Sequence, residues 1–454
     1  MKNIVLFLAF VTFFSDFAGA QGYKIKVKVA DLPTQEHLIG YYFADNQFVL
    51  DTVFSDEKGL AIFEGEEKLD GGMYFWVLPN KMHIDLIISE DQEFSVELDT
   101  TELYKNIKIT GSTENTLFYN YQNFLQQQNE KYAILAQQKE AVGDNSDSAV
   151  IIQTEIENIQ KIAENYWQKL ATENKGTFFA TMLTAMNGDV DKHFNFGYFF
   201  NYIDFSDARL LRSPVIHKAV RIVLARNLNQ EKDANFIMTE LDSLFARAKA
   251  NKEVYQYVVG YTLSFFNSFQ RLGMNYVFAH IADNYILNGN SDWFDEATLA
   301  SISERNEIMK ASFVGQKAHD LQMENVEGEV KTLYDIETDY TLLFFWSTGC
   351  GHCEAATEHI TKFMKESNYA SKFSVYAVYA KDDKKDWEEF IKKYGTQSWT
   401  NVWDLEDKNM YHAYYYIVST PILFLLNKNK EIMTIRAGDQ PIELLMNEIR
   451  GNLH

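Results

Sequence analysis

The sequence predicts a multidomain chain: an N-terminal antiparallel β-sandwich-like domain, a central α-helical domain and a C-terminal α/β domain. Three observations carry that prediction. From Tyr23 to about Ile109, apolar residues alternate with period two between turn-forming residues. From about Thr113 to Ser312 they recur at spacings of three and four. Beyond Gly315, apolar strand-like runs alternate with helical stretches. The expected divisions are 1–20, 21–112, 113–312 and 313–454.

The first twenty residues read as a leader rather than as fold. Lys2 supplies a positive start, Ile4 to Phe14 is an apolar run of eleven residues, and Ala18-Gly19-Ala20 offers a small-residue cleavage site before Gln21. The run is too short to span a bilayer, and no later one approaches that length. No cysteine lies near the cleavage site, so lipid attachment there is not expected. The chain is therefore expected to be exported, cleaved after Ala20, without a membrane span. Its 46% apolar and 15% aromatic content is ample for packed cores. The formal charge of −22 disfavours nucleic acid and anionic membranes as partners.

In the N-terminal part, YKIKVKV is a period-two strand, followed by Phe48 to Phe54, Leu60 to Phe63, Met73 to Val77, Ile84 to Ile88 and Phe94 to Leu98. Asp56-Glu57-Lys58-Gly59 and Asp70-Gly71-Gly72 read as solvated turns more readily than as calcium loops. Residues from about Glu114 to Val142 read as a helix that Gly143-Asp144-Asn145 breaks. In the next helix, Ile152, Ile156, Ile159, Ala163, Tyr166 and Leu170 form a seam, the sign of an antiparallel helical hairpin. Val215 to Leu228, Ala234 to Ala248, Glu253 to Leu272 and Tyr276 to Leu287 continue the helical period without a fixed repeat. His193, His217 and His280 lack metal-ligand spacing and read as packing or surface residues.

The C-terminal part reads as strand Leu342 to Trp346, helix Glu354 to Glu366, strand Phe373 to Tyr379 and helix Trp387 to Tyr394. Strand Ile422 to Leu426 pairs with Ile432 to Arg436 through the turn 427–430, and a last helix, Ile442 to Ile449, follows Pro441. The chain's only two cysteines, Cys350 and Cys353, fall where the first strand gives way to the first helix. Unpaired N–H groups and the helix dipole favour an anion there, so a Cys350 thiolate is stabilised and Cys353 lies one turn along, within reach. His352 adds positive charge that tunes the pair. Zinc would need two further ligands that no other cysteine supplies, and covalent haem needs a histidine where Glu354 stands, so neither metal nor cofactor is expected. A static disulfide closing so small a loop would constrain little chain entropy. Redox chemistry is the preferred reading. Pro421, one of five prolines, precedes a core strand and expects a turn or strand-edge site, in which a cis bond is one option.

From about residue 315 to 454 the chain resembles the thioredoxin-fold domain of exported bacterial thiol–disulfide oxidoreductases, the TlpA/ResA-like group. The LLFFW strand, C-G-H-C at the helix start, the W-x-x-F-I stretch from Trp387, and Thr420-Pro421 before LFLLN carry the likeness. The resemblance implies Cys350 as nucleophile, Cys353 as resolving thiol, Pro421 as the cis-proline beside them, and Thr420 as a backbone partner for an extended substrate. Trp346 is expected beside the site, as a substrate contact or as core. Two departures stand out: Phe344 replaces the buried acid usual in thioredoxins, and Ala356 the glutamate of some family reductases. Glu354 and Glu358 are candidates for a proton relay but read more readily as solvated helix residues. Peroxiredoxin chemistry is disfavoured, because Ser347 fits its spacing but Leu343 replaces the expected proline.

The stretches Ile109-Thr110-Gly111-Ser112 and Asp207-Ala208-Arg209-Leu210-Leu211-Arg212-Ser213-Pro214 resemble, more weakly, accessory regions ahead of such domains in Bacteroidetes proteins. The expectation is a periplasmic enzyme that reduces or isomerises protein disulfides, fed by an unidentified electron donor. Its first two-thirds would position a partner or join two subunits into a homodimer. The rival is a cell-envelope binding or assembly protein whose disulfide is inert.

Overall fold

The structure is a computed structural model that describes residues 22–29, 31–100, 106–143, 146–188, 200–229, 232–366, 370–404, 406–437 and 451. The expected leader, His193 and the helix expected after Pro441 lie outside the described residues. The chain divides into two compact units, 1–226 with 247–254, and 227–246 with 255–454.

The first unit is sheet-rich at its start. Strands β1 (Tyr23–Val29), β4 (Leu60–Gly65), β7 (Glu93–Leu98) and β8 (Lys108–Thr110) form one sheet in the order β4-β1-β7-β8. Strands β2 (Glu36–Phe43), β3 (Asn46–Phe54), β5 (Gly72–Val77) and β6 (His83–Ile88) form another, in the order β3-β2-β5-β6. Alternation in β1 turns Ile25, Val27 and Val29 into a core shared with Ile39, Trp76 and Leu86, and leaves its lysines on the other face. Two features depart from expectation. The pairing of β1 with β7 is parallel, which alternation could not show, since period two is the same read in either direction and carries no strand polarity. Strand β2 is hidden in the sequence by Gly40 and by a register shift at Ile39/Gly40; a Cβ at Gly40 would stand 2.2 Å from the Phe75 ring, so glycine is required there.

Gly111, at φ +92°, ends the sheet and turns the chain into helix α1 (Thr113–Val142), which Ser112 caps by accepting from the Asn115 N–H. The fully buried Asn115 side chain accepts from the Ile87 N–H at 2.8 Å and donates to the Ile87 carbonyl at 2.7 Å, tying the helix to β6. Helix α2 (Asp147–Glu173) completes the hairpin, with Ile156 and Leu170 buried and Ile152, Ile159, Ala163 and Tyr166 partly so. Helix α3 (Phe178–Asn187) follows; the buried Glu114 carboxylate accepts from the Phe179 N–H at its start. The 207–214 stretch is a dock within this unit. Leu210 and Leu211 are fully buried, the Leu211 carbonyl accepts from the Ala44 N–H, and Arg212 pairs with Asp70 at 2.7 Å.

Helices α4 (Val215–Asn229), α5 (Ala234–Ala248) and α6 (Lys252–Ser268) come next, then α7 (Met274–Ile281), a π turn Ala282–Ile286, and α8 (Glu296–Lys310). The second unit also holds a seven-stranded sheet, in the order β10-β9-β13-β12-β11-β14-β15. Its strands are β9 (Gln322–Glu324), β10 (Val330–Thr332), β11 (Tyr340–Trp346), β12 (Phe373–Tyr379), β13 (Thr400–Trp403), β14 (Ile422–Asn427) and β15 (Ile432–Ala437). At the centre, β11 runs parallel to β12 and antiparallel to β14. Leu342, Phe344 and Trp346 face one core, Leu343 and Phe345 the other. A strand buried on both faces reads as the unbroken apolar run LLFFW, each large side chain contributing ~1.5–3 kcal/mol. Helices α9 (Gly351–Glu366) and α10 (Lys384–Tyr394) supply Ile360, Phe363, Trp387 and Phe390 to the first core.

Candidate active site

Strand β11 ends at Trp346, α9 begins at Gly351, and the intervening residues 347–350 form a loop in which Gly349 takes φ +72°. Cys350 is thus the last residue before the helix and Cys353 its third. They are joined as a disulfide with Cα atoms 5.2 Å apart. The Cys353 N–H, one of the helix's unpaired donors, points at the Cys350 sulfur at 3.1 Å. The two sulfurs differ in access: Cys353 is fully buried, whereas Cys350 is partly exposed. Only Cys350 can be approached from outside.

The chain returns to this point 70 residues later. The Thr420–Pro421 peptide bond is cis, and the Thr420 carbonyl oxygen lies 3.5 Å from Cys350 Sγ. The loop before β14 and the loop after β11 are bonded through their side chains, Ser347 Oγ to Thr420 Oγ1 at 2.7 Å. Thr348 is held twice: its hydroxyl meets the Tyr379 hydroxyl at 3.1 Å, and its carbonyl accepts from Lys381 Nζ at 2.8 Å. Lys381 therefore puts a cation two residues from Cys350. Ser347 is itself largely buried, so Ser347→Ala should cost about 1 kcal/mol of stability. Urea unfolding of the oxidised chain measures it, and an unchanged midpoint would show that the bond contributes nothing.

The expected site residues are only partly brought together. His352 is exposed on the first turn of α9. Trp346 corrects the expectation of a substrate contact: it is 1% exposed, its ring 4.0 Å from that of Phe390 and 5.0 Å from that of Tyr379, and so belongs to the core beneath the loop. Phe344 and Ala356 are both buried, Phe344 edge-on to Trp399. Glu354 is engaged on α10: Tyr394 donates to it at 2.6 Å and Lys393 stands 3.5 Å off. The Tyr394 hydrogen bond, with help from Lys393, holds its carboxyl below the ordinary glutamate range, ionised rather than poised to carry a proton. Sequence reasoning missed Thr348, Tyr379 and Lys381. Lys381 stands in the run KDDKKD, which reads as solvated surface.

The profile of the AhpC/TSA family matches residues 314–435. The thiol-disulfide oxidoreductase ResA of Halalkalibacterium halodurans is 30% identical over 139 residues, 30% of this chain and 77% of that protein. Among solved structures, a domain of a possible thiol-disulfide isomerase from Cytophaga hutchinsonii is 32% identical over 31% of this chain and 95% of its own, with a TM-score of 0.28. A thioredoxin-like protein from Bacteroides caccae is 18% identical over 56% of this chain and 90% of its own, with a TM-score of 0.40.

Proposed function

The chain belongs, through its C-terminal thioredoxin-like domain, to the ResA-like thiol–disulfide oxidoreductases, and from that premise we propose that it reduces or isomerises protein disulfides through Cys350 and Cys353. The observation that carries this reading is one accessible sulfur and one buried sulfur at a helix start, with the Thr420 carbonyl 3.5 Å from the accessible one. In the reduced enzyme, the Cys350 thiolate attacks one sulfur of a substrate disulfide. A mixed disulfide forms, and the other substrate sulfur leaves as a thiolate and takes a proton. Cys353, deprotonated, then attacks Cys350 Sγ. The second substrate sulfur is released as a thiolate and takes a proton; the two electrons that the substrate disulfide has gained come from the Cys350–Cys353 pair, which is left as the disulfide. A separate thiol donor, not yet identified, must return those electrons. Isomerisation needs no net donor, because the released substrate thiol can attack the mixed disulfide before Cys353 does.

His352 tunes the pair by favouring the thiolate, which makes the disulfide more oxidising. Thr420 and Pro421 receive an extended substrate segment beside Cys350, in the manner of an added strand. The protein works in the periplasm after removal of residues 1–20. The domains 21–112 and 113–312 hold a partner near the thiols or join two copies.

Equilibration of the full chain in glutathione buffers, read by alkylation and mass, tests the proposal. A potential near the roughly −270 mV of thioredoxin supports a reductase, and one near the roughly −180 mV of disulfide isomerase supports isomerisation. A pair that stays oxidised throughout would sink the enzymatic assignment of these cysteines and favour a binding or assembly role.

A further inference from the structure

Outside the thiol site, the second unit has a cleft of about 470 Å³ between α6, α7 and α8, within the size range of small binding sites. Its wall is apolar at Leu263, Phe278, Phe294 and Ile302 and ends at Asn267 and Arg305. The space beside Gly260 is open, since even a Cβ there would stand 4.0 Å from the Phe294 ring. Arg305 is half-buried, and its one hydrogen bond among the described residues runs from Nε to Asn267 Oδ1 at 3.2 Å. In a chain with 64 acidic against 42 basic residues, this guanidinium pairs with no carboxylate among the described residues. Its terminal nitrogens are the fork that grips a carboxylate bidentately.

The cleft is tied to the thiol site through the chain. The Phe269 carbonyl, just past the end of α6, accepts from the Tyr416 hydroxyl at 2.6 Å. Tyr416 is four residues ahead of Pro421's partner Thr420, a span of at most about 14 Å of backbone. The short helix Tyr411–Tyr414 that precedes it packs on α8, which carries Ile302 and Arg305.

We propose that this cleft docks a segment of the protein substrate in which a carboxylate follows apolar side chains, the carboxylate on Arg305 and the apolar groups against Phe278 and Phe294. The inference rests on the oxidoreductase reading and adds to it a second point of substrate contact, away from the cysteines. The elements that line the cleft are bonded to the stretch of chain that presents Thr420 to Cys350.

The test uses the full chain and a labelled, cysteine-free peptide ending in two leucines and a glutamate, followed by fluorescence anisotropy. A matched peptide with glutamine at the end is the control. Binding should be about tenfold tighter for the glutamate peptide, ~1.4 kcal/mol. That advantage should vanish in Arg305→Gln and survive in part in Arg305→Lys. When the same tails are fused to a disulfide-containing peptide, the glutamate tail should lower KM about tenfold with kcat unchanged, and only when Arg305 is present. Equal binding of the two tails, or an advantage that persists in Arg305→Gln, overturns the proposal. Binding of hexanoate but not of the peptide overturns the docking role and makes the cleft a small-acid site. If no disulfide peptide is turned over at all while the glutamate tail still binds, the oxidoreductase reading has failed at its own step, and the docking role falls with it.

Discussion

Cys350→Ser should lower disulfide exchange at least about a thousandfold, to the level of uncatalysed exchange, because an alcohol near neutral pH offers no comparable nucleophile. Cys353→Ser should behave differently. Cys350 remains the accessible sulfur, so attack proceeds, but nothing resolves the product, and the enzyme accumulates as a mixed disulfide. Non-reducing electrophoresis with a disulfide-bonded protein substrate separates the cases: a substrate-sized mass increase with Cys353→Ser and none with Cys350→Ser. The burial asymmetry fixes this direction, since Cys353 is fully buried and cannot meet a folded substrate. Equal trapping by both variants would mean that the two sulfurs exchange roles and that access does not select the nucleophile.

How much of this was legible beforehand follows from what sequence encodes locally. The CGHC loop, the strand before it and the helix after it are contiguous, so periodicity and the position of the cysteines place them directly. Helix α9 begins at Gly351, three residues before the expected start, because residues of the motif itself form its first turn. Strands β9, β10 and β13 have three, three and four residues, too short for any period to show. Pairing is where local reading ends. The parallel contact of β1 with β7 joins segments whose alternation is indifferent to direction. The bonds from Ser347 to Thr420 and from Lys381 to Thr348 join residues 73 and 33 positions apart. A lysine among aspartates is read as solvated until the fold brings it back to the loop. Trp346 stays open in the sequence for a related reason: an aromatic beside a motif is equally consistent with ligand contact and core, and only burial separates them.

Phe344 carries the other large effect. Its position, two residues before the end of β11, is where thioredoxins usually have a buried acid, and restoring that acid should not restore chemistry here. Phe344 is fully buried, edge-on to Trp399, in a core that also holds Leu342, Trp346, Ile360 and Trp387. These neighbours offer no cation to a carboxylate. Phe344→Asp should therefore destabilise the domain by about 4 kcal/mol or more, from lost packing together with an uncompensated buried charge. Phe344→Leu should cost less, since it trims volume without placing charge. The pH dependence separates the two contributions. Burial raises the aspartate's folded pKa above its unfolded value, so the folded form binds more protons between the two, and the variant's stability falls as pH rises through that window. Denaturant unfolding at pH 4 and pH 7 should show the gap between Phe344→Asp and Phe344→Leu widening toward neutrality. A gap that stays constant would mean that the carboxylate finds water or a partner. This core would then have kept a place for the family's acid despite having filled it with phenylalanine.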